Sequence, residues 1–404
     1  MNKSNISGLR LPNEDTCKHS VRQLELFAPN PALTEDLFRA YYEARRNKRN
    51  THNALRFELD LEHNIFELSR EISERTYSLS KCICFIVDKP VKREIFAAHF
   101  RDRVVHHYLI GKLMPIIENQ LVYDTYSCRK GKGTLFGVRR MSKFMRQCSN
   151  NFTTPAYILK LDIRGFFMNI NKNLLYEKVK SLIQRKYAGD DWETLLFLSK
   201  TIIKNCPERH CVIKGSRRDW EGLPDNKSLF KTPSDCGLPI GNLTSQVFAN
   251  LYLNDFDMFV KKQLKCKYYG RYVDDFFIIH QDRSLLLKYI VEVREYLKKE
   301  YDLVLHPDKI YLQSVSKGAA FLGVMVKPYR TYIGKRVRGN FFSLIKEKQN
   351  VKITNDEQQR KVEASMNSYC GFCIHHKAYR LFGAIVDMMP RDWLQFRSTQ
   401  LFVV

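Results

Sequence analysis

The sequence lacks any run of about 20 consecutive apolar residues, which is the length that a membrane-spanning helix needs. Internal repeats and low-complexity blocks are also absent, and the 18 glycines and 13 prolines are spread thinly. The N-terminus contains no apolar segment of the kind that a secretory signal peptide carries. These absences exclude a collagen-like repeat and predict a soluble, cytoplasmic protein whose lobes are built from one interwoven chain.

Acidic residues are scarce relative to basic ones. The 404 residues include 43 Asp and Glu against 67 Lys and Arg, which gives a formal net charge of +24. Hydrophobic residues make up 44% of the chain, so it can bury a large core, and this excludes a disordered chain. The positive surplus favours nucleic acid or an acidic membrane surface as partner, because each neutralised phosphate releases counterions. A merely soluble basic protein is the alternative.

The 11 cysteines are an odd, scattered set, and without a secretory signal we expect them to be reduced. Cys370 and Cys373 are separated by two residues and followed by two histidines, a spacing that could form half of a zinc site. No second ligand pair lies nearby in the sequence, so we interpret both as packing residues. Cys82 and Cys84 alternate on a predicted strand, and the same interpretation applies to them.

The apolar patterns predict an α+β fold. Its middle part follows the order β, α, β, β, α, β, which describes an antiparallel ferredoxin-like sheet. The runs read as strands are 157–167, the two arms of 268–280, 303–309 and 321–326. Helices are predicted over 171–205, over about 284–300 and in a long amphipathic segment that opens with residues 238–246, with an irregular loop over 206–236.

Two basic segments are candidates for binding a phosphate backbone. Residues 127–149 hold seven basic side chains and no acidic one, whereas a solvated helix normally mixes charges of both signs. Residues 327–346 hold six basic side chains and no acid, with aromatic residues interleaved. The nucleic-acid-binding residues predicted from these segments are Arg129, Lys130, Lys132, Lys335, Arg336 and Arg338.

The adjacent acids Asp274 and Asp275 lie between aromatic and β-branched residues, a pattern typical of a hairpin with the acids at its tip. Two neighbouring carboxylates in apolar surroundings are unfavourable unless a cation compensates them. A hard divalent metal ion fits this need, and Asp162 in a second apolar strand is a candidate third ligand. In a very basic protein, this pattern points to phosphoryl transfer on nucleic acid. A solvated Asp-Asp turn is the alternative.

Seven motifs in a fixed order resemble the reverse transcriptases. They are Lys89 and Arg93 with REIFAAHFRDRVVHHYL, then YSCRKGKGTLFGV, LDIRGFF, YVDD, LHPDK, FLG and NSYCGFCIHH. The resemblance covers nearly the whole chain and implies a right-hand polymerase with fingers, palm and thumb. We therefore expect a basic helical extension over 1–50, fingers over 51–155, a palm over 156–330 and a helical thumb over 331–404.

The resemblance also implies roles for the acidic residues. Asp162, Asp274 and Asp275 would be catalytic and would bind two Mg²⁺ ions, for which Mn²⁺ can substitute, with the carbonyl of Ile163 completing one coordination shell. Successive side chains on a strand point to opposite faces, so the two adjacent acids should contribute unequally. We expect Asp274 to be the main ligand and Asp275 to lie near the primer end.

Other matching positions are implied to bind the nucleotide or the nucleic acid. Lys89 and Arg93 would hold the incoming triphosphate, and Lys309 would protonate the pyrophosphate. Phe167 would exclude a ribose 2′-hydroxyl and so select deoxynucleoside triphosphates. Core packing for the phenylalanine and solvated positions for the three cations are the alternatives. The family's motifs also place Tyr272, Leu322 and Gly323 against the template RNA or the cDNA and primer.

The segment 237–246 departs from the usual family pattern, which has Gln-Gly and Ser-Pro where this chain has Ile240-Gly241 and Ser245-Gln246. That departure is similar to the reverse transcriptases of diversity-generating retroelements. Ile240, Gly241 and Gln246 would then line the nucleotide site, and the alkyl side chain of Ile240 cannot form hydrogen bonds that penalise wrong base pairs.

The subfamily resemblance implies a biological role. The enzyme would copy a template-repeat RNA into cDNA with errors opposite adenine, together with a small, basic, oligomeric accessory variability protein. The cDNA would then diversify a target gene. A faithful retron-like or group II intron-like reverse transcriptase is one alternative, and a non-catalytic RNA-binding scaffold is another.

Overall fold

The computed structural model describes residues 30–46, 48–88, 91–348, 356–386 and 388. Helices and antiparallel sheets are both present, which confirms the predicted α+β class. Across the described ranges, no helix is both long enough and apolar enough to cross a membrane. Most of the predicted N-terminal extension, residues 1–29, lies outside the described residues.

Helices make up most of the described chain. In order they are α1 (Pro31–Arg45), α2 (His52–Glu58), α3 (Leu61–Ser73), α4 (Phe100–Glu118), α5 (Thr134–Cys148), α6 (Lys172–Lys186), α7 (Trp192–Lys204), α8 (Leu243–Tyr252), α9 (Asn254–Met258), α10 (Arg283–Tyr301), α11 (Lys335–Lys348), α12 (Asp356–His375) and α13 (Tyr379–Val386). The strands are β1 (Ile83–Val87), β2 (Arg93–Ala97), β3 (Tyr157–Asp162), β4 (Val212–Ile213), β5 (Tyr268–Tyr272), β6 (Asp275–His280), β7 (Tyr311–Ser314), β8 (Ala319–Phe321), β9 (Val324–Lys327) and β10 (Arg330–Ile333).

A four-stranded sheet with the order β5-β6-β3-β7 lies at the centre, and all its neighbouring strands are antiparallel. Helices separate β3 from β5 and β6 from β7, so the predicted ferredoxin-like order is confirmed.

Three of the predicted strand boundaries were wrong. The run 157–167 ends as a strand at Asp162, because Gly165 has φ +57° and a 3₁₀ turn follows it. Pro307 begins a 3₁₀ turn within 303–309, so the strand starts only at Tyr311. The run 321–326 forms parts of β8 and β9, which belong to a separate sheet with β10.

The central sheet is covered on both faces by other parts of the fold. Asp162 and Asp275 lie at one end of its two middle strands. One face, which includes Leu159 and Ile278, packs into the large helical core. The other face, which includes Ile158 and Phe277, packs against α5 and the β8–β9 hairpin. A strand buried on both faces reads as a continuous apolar run, and this explains the sequence pattern around the acids.

A second sheet, ordered β2-β1-β4, lies outside the central one. The strand β4 comes from the predicted loop 206–236, which otherwise consists of short 3₁₀ turns and irregular chain. Cys82 and Cys84 are both buried in the cluster beneath this sheet. Cys373 packs with Phe341 between α11 and α12, and Cys370 is also buried, so the packing interpretation of these cysteines is confirmed.

A fully buried ion pair joins β5 to α9. The Arg271 guanidinium donates two hydrogen bonds to the Asp257 carboxylate, at 2.7 Å from Nε and 2.5 Å from Nη2. The Tyr269 hydroxyl donates to the same carboxylate at 2.5 Å. The Arg271 backbone also bonds to the segment before α5, donating to the Asp124 carbonyl and accepting from the Tyr126 N–H. The pair therefore links three parts of the fold.

We predict that Asp257→Ala lowers the free energy of unfolding by about 3–5 kcal/mol, because it leaves a buried guanidinium without its counterion. Chemical denaturation measures this loss. Asp255→Ala is the control, since Asp255 lies on the same helix and forms an exposed ion pair with Lys178. We expect a change below about 1 kcal/mol for the control. Equal losses in the two variants would contradict the role of the buried pair.

Candidate active site

Asp162 and Asp275 are directly opposed at one end of the central sheet. They occupy partner positions on the antiparallel strands β3 and β6, so their side chains point to the same face. Carboxylates at such positions lie roughly 5 Å apart at their Cβ atoms. The end of β3 is also tied to neighbouring chain, since the His306 N–H donates to the Asp162 carbonyl at 2.8 Å.

Asp274 lies in the two-residue turn between β5 and β6, which Tyr272 and Asp275 close as a strand pair. The preceding Val273 has φ +58°, an uncommon and strained conformation for a β-branched residue. Arg271 stabilises this turn by donating from Nη1 to the Val273 carbonyl at 2.9 Å. The Ile163 N–H donates to the Asp274 carbonyl at 3.3 Å, which holds the turn against the end of β3.

Two lysines partly neutralise the carboxylates. Lys160 Nζ lies 2.9 Å from Asp275 Oδ2, and Lys309 Nζ lies 2.9 Å from Asp162 Oδ1. Burial, together with repulsion from Asp162 and Asp275, raises the pKa of Asp274 from 3.8 to about 7. Burial also raises the pKa of Asp275 to about 6, although Lys160 acts in the opposite direction. The site therefore holds more negative charge than its own lysines compensate.

The donor set fits a hard divalent cation. Asp275 Oδ1 is buried and has no hydrogen-bond partner among the described residues, so this oxygen is available to a ligand from outside the chain. The raised pKa values show that added positive charge would stabilise the ionised carboxylates. Within the described ranges, no group of three or more Asp, Glu, His or Cys side chains is already placed to hold a metal ion. Metal binding would therefore require the carboxylates to turn away from their lysine partners.

Comparison with known proteins identifies the family. Residues 89–326 match the family described as reverse transcriptase (RNA-dependent DNA polymerase), which is more than half of the chain. The chain belongs to the reverse transcriptase family. The matched segment includes the three aspartates, the Val273 turn and both lysines that contact the acids.

Individual relatives of this reverse transcriptase are distant. Protein YkfC from Escherichia coli (strain K12) is 24% identical over 255 residues, which covers 55% of this chain. The chain spans 60% of the length of that relative. Among solved structures, apo telomerase from Candida tropicalis truncated from its C-terminal domain has a TM-score of 0.43 and 13% identity, covering 66% of this chain and 59% of its own. Telomerase from Candida albicans in complex with a fragment of telomeric RNA has a TM-score of 0.40 and 12% identity, covering 78% and 56%.

The structure brings some of the predicted nucleotide-binding residues toward the acids. Lys309 contacts Asp162 directly. Arg93 is exposed on β2. Burial raises the pKa of Tyr272, next to the turn, and the positive charge of Arg93 acts on this pKa in the opposite direction. Phe167 is half-buried and packs at the boundary between the helical core and the cluster beneath the second sheet. Lys89 lies outside the described residues.

The segment 237–246 lies between the turn after Asp162 and the second sheet. The Ile240 carbonyl accepts a hydrogen bond from the Phe96 N–H at 2.8 Å, and the Ile240 side chain is half-buried in the cluster beneath that sheet. Gly241 has φ +119°, and a Cβ there would lie 2.9 Å from the Ile95 side chain, so a larger residue would force the strand away. Gln246 is exposed and accepts from the Cys128 thiol at 2.7 Å.

The expectation that Arg129 binds nucleic acid requires correction. Its guanidinium is buried, bonds to both Glu118 carboxylate oxygens, and donates to the Val122 and Thr125 carbonyls. These contacts use its donors inside the protein, so it stabilises the loop before α5. Lys132 also donates to a carbonyl, that of Tyr123, at 2.5 Å. The neighbouring Lys130 is exposed.

The other predicted nucleic-acid-binding residues lie at two places. Tyr272 and Leu322 are half-buried against the cluster that contains Phe277, and Leu322 and Gly323 form the β8–β9 turn with φ +49° and +84°. The remaining three are exposed in the first turn of α11, namely Lys335, Arg336 and Arg338. The structure does not place these three in contact with the aspartates.

Sequence reasoning missed several residues that build the site. Lys160 follows the period-2 pattern on β3 and could have been found two residues before Asp162 on the same face. Glu94 is fully buried on β2, beside Arg93. It accepts hydrogen bonds from Trp220 Nε1 at 2.6 Å, the Ser228 hydroxyl at 2.8 Å and the Leu229 N–H at 2.6 Å. The loop 206–236 is thereby fastened to the strand that carries Arg93.

We predict that Asp274→Asn stabilises the metal-free protein at about pH 8. The folded state binds the Asp274 proton more tightly than the unfolded state, so stability falls as pH rises from 3.8 toward about 7. Asparagine removes that dependence, and each pKa unit is worth about 1.4 kcal/mol. Denaturation curves in the presence of a chelator should show a gain of at least about 1.4 kcal/mol that shrinks on acidification.

The exposed Asp302, which is paired with Lys298, supplies the control through Asp302→Asn. That variant should show no such pH-dependent gain. A stability difference for Asp274→Asn that does not change with pH would contradict the raised pKa of Asp274.

Proposed function

We propose that the protein is an RNA-directed DNA polymerase that extends a primer on an RNA template with deoxynucleoside triphosphates. The observation that carries this proposal is the acidic cluster at one end of the central sheet, in which a buried oxygen of Asp275 has no partner among the described residues. Membership in the reverse transcriptase family and the net charge of +24 support it.

The proposed metal ligands are Asp162, Asp274 and Asp275, with the carbonyl of Ile163. Two Mg²⁺ ions, or Mn²⁺ in their place, would activate the primer 3′-hydroxyl and neutralise the developing charge on the triphosphate. The strand pairing of Asp162 with Asp275 and the Arg271-stabilised turn fix the backbone positions of the aspartates, whose side chains would then turn from the lysines toward the ions. We expect Asp274 to contribute more than Asp275 to metal binding.

Several other side chains would act on the nucleotide. Lys309 already lies against Asp162 and would donate a proton to the pyrophosphate leaving group. Arg93, with Lys89, would hold the triphosphate. Phe167 would contact the sugar and exclude a 2′-hydroxyl. Gly241 would bind the nucleotide through its backbone, which lies against Ile95 of β2.

We propose that the lobes follow the order of a right-hand polymerase. Residues 51–155 would form the fingers, 156–330 the palm and 331–404 the thumb, after a basic extension over 1–50. The central sheet supports the palm boundary, since all of its strands fall within it. The described free cysteines fit a reducing compartment such as the cytoplasm.

The finer proposal is that the enzyme belongs to a diversity-generating retroelement and copies a template-repeat RNA with errors opposite adenine. A small, basic accessory variability protein would assist it. The Ile240 carbonyl bonds to Phe96 on β2, the strand that carries Arg93, which supports a position near the proposed nucleotide site, and its alkyl side chain supplies no hydrogen bond to a sugar or base pair. A faithful retron-like or group II intron-like enzyme is the alternative.

We predict that Asp275→Ala reduces nucleotide incorporation by at least about 100-fold, because it removes a metal ligand and the partner of Lys160. Primer extension on an RNA template with Mg²⁺ measures this, and RNA binding measured in parallel should be retained. Asp302→Ala is the exposed control and should leave incorporation unchanged. Undiminished synthesis by Asp275→Ala would refute the ligand assignment, and no synthesis by the unsubstituted protein with its cognate RNA would favour a scaffold.

We predict that Ile240→Gln lowers misincorporation opposite template adenine, because the amide can form hydrogen bonds that favour correct pairs. Sequencing of extension products at each template base gives the error spectrum. Ile240→Val is the matched control, since it keeps the branched alkyl side chain. An identical spectrum for all three proteins would contradict the link between Ile240 and fidelity, and faithful synthesis by the unsubstituted enzyme would favour the retron-like alternative.

A further inference from the structure

The outward side of α5 forms a cationic surface away from the acidic cluster. Residues 125–161 contain no Asp or Glu. The inner side of α5 buries apolar residues such as Val138 and Met141 against the sheet. On the outer side Arg139, Lys143 and Arg146 are exposed and line a shallow groove together with the amide side chains of residues 147, 150 and 151.

These outer cations differ from their neighbours in having no acidic partner. Arg140, on the inner side, is paired with the Asp124 carboxylate at 2.6 and 2.8 Å. No salt bridge within the described part of the chain involves Arg139, Lys143 or Arg146. The fold therefore neutralises the inner cation and leaves the outer three facing solvent.

A strained turn forms one wall of the groove. Asn150, Asn151 and Phe152 are consecutive residues with φ +46°, +60° and +67°, and such a run is unusual for residues other than glycine. The turn is held by Ser149, whose hydroxyl accepts from the Phe152 N–H at 2.9 Å, and by the Arg146 carbonyl, which accepts from the Asn151 N–H at 2.7 Å. Backbone strain maintained in this way often occurs at binding sites.

An exposed aromatic side chain sits beside the turn. Tyr329, between β9 and β10, is 79% exposed, and its hydroxyl donates to the Asn151 carbonyl at 3.1 Å. Its ring contacts that of Phe152, with centroids 4.7 Å apart. Lys327 and Arg330 flank it and are also exposed. Arg146 Nε donates to Asn151 Oδ1 at 2.7 Å, so the turn also orients one of the cations. The surface thus combines an aromatic ring with cations that have no acidic partner in the described part of the chain.

The groove lies at the end of the central sheet opposite to the acids. The strained turn precedes Tyr157, where β3 begins, and the acids lie at Asp162, where β3 ends. At about 3.3 Å per residue, the strand alone separates the two places by roughly 17 Å. A ligand in the groove would therefore not occupy the acidic cluster.

We propose that this groove binds single-stranded nucleic acid outside the catalytic site. Arg139, Lys143 and Arg146 would contact successive phosphates, and the Tyr329 ring would stack on an unpaired base. Cations alone would suit any polyanion, but an exposed ring next to them favours a strand whose bases are free to stack. The proposal does not depend on polymerase activity.

The test uses the full-length protein with a labelled single-stranded RNA and a DNA of the same sequence. Fluorescence anisotropy at several salt concentrations gives the affinity and its salt dependence. For the triple variant Arg139→Gln, Lys143→Gln and Arg146→Gln, we expect the slope of log K against log salt to become shallower by about 2, since each single-strand phosphate contact contributes about 0.7. Tyr329→Ala should weaken binding by roughly fivefold or more.

The control variant, with Arg185→Gln, Lys186→Gln and Lys299→Gln, removes the same charge from exposed positions on α6 and α10. A shallower slope that is confined to the groove variant supports the site, and the strand affected more strongly, RNA or DNA, identifies its ligand. Equal slopes for groove and control variants would overturn the proposal. Nucleotide incorporation is measured with the same preparations and reports on the acidic cluster. A loss of polymerase activity is therefore distinguished from a loss of binding in the groove.

Discussion

The buried ion pair between Arg271 and Asp257 is the interaction on which the acidic end of the central sheet depends. A guanidinium removed from water is stable only with a counterion and with its donors satisfied, and Asp257 with the Val273 carbonyl provides both. The same arginine therefore fixes helix α9, strand β5 and the strained turn that presents Asp274. The contacts that hold this turn involve the Val273 and Asp274 backbone carbonyls, so they do not use the carboxylate oxygens of Asp274.

The acids are arranged at a cost to stability. Asp162 and Asp275 face each other on two paired strands, and Asp274 lies half-buried in the adjacent turn, so burial and repulsion both raise the pKa of Asp274. Lys160 and Lys309 offset part of this charge through their ion pairs with Asp275 and Asp162. Binding of divalent cations would stabilise a site with this excess of negative charge. This fits the nucleotidyl transfer proposed for this member of the reverse transcriptase family.

Sequence reasoning succeeded where a local pattern carries the information. Asp274 and Asp275 are adjacent acids in apolar surroundings, and Asp162 ends an apolar strand, so their grouping could be predicted. Arg129 shows the limit of such reasoning. It lies in a run of one charge and was predicted to face nucleic acid, but Glu118 from the preceding helix neutralises it inside the protein. Glu94 and Trp220 could not be paired from the sequence, since 126 residues separate them and no periodicity relates them.

The sequence by itself determined the α+β class, the order of strands and helices in the central sheet, and the acidic residues, because each depends on short-range periodicity or on adjacent charges. Only the tertiary structure decided the register that opposes Asp162 to Asp275, and it alone decided which cations are neutralised. Arg140 meets Asp124, whereas Arg139 has no acidic partner among the described residues. The physical reason is that a charge acts according to its neighbours in space, and these come from segments distant in the chain.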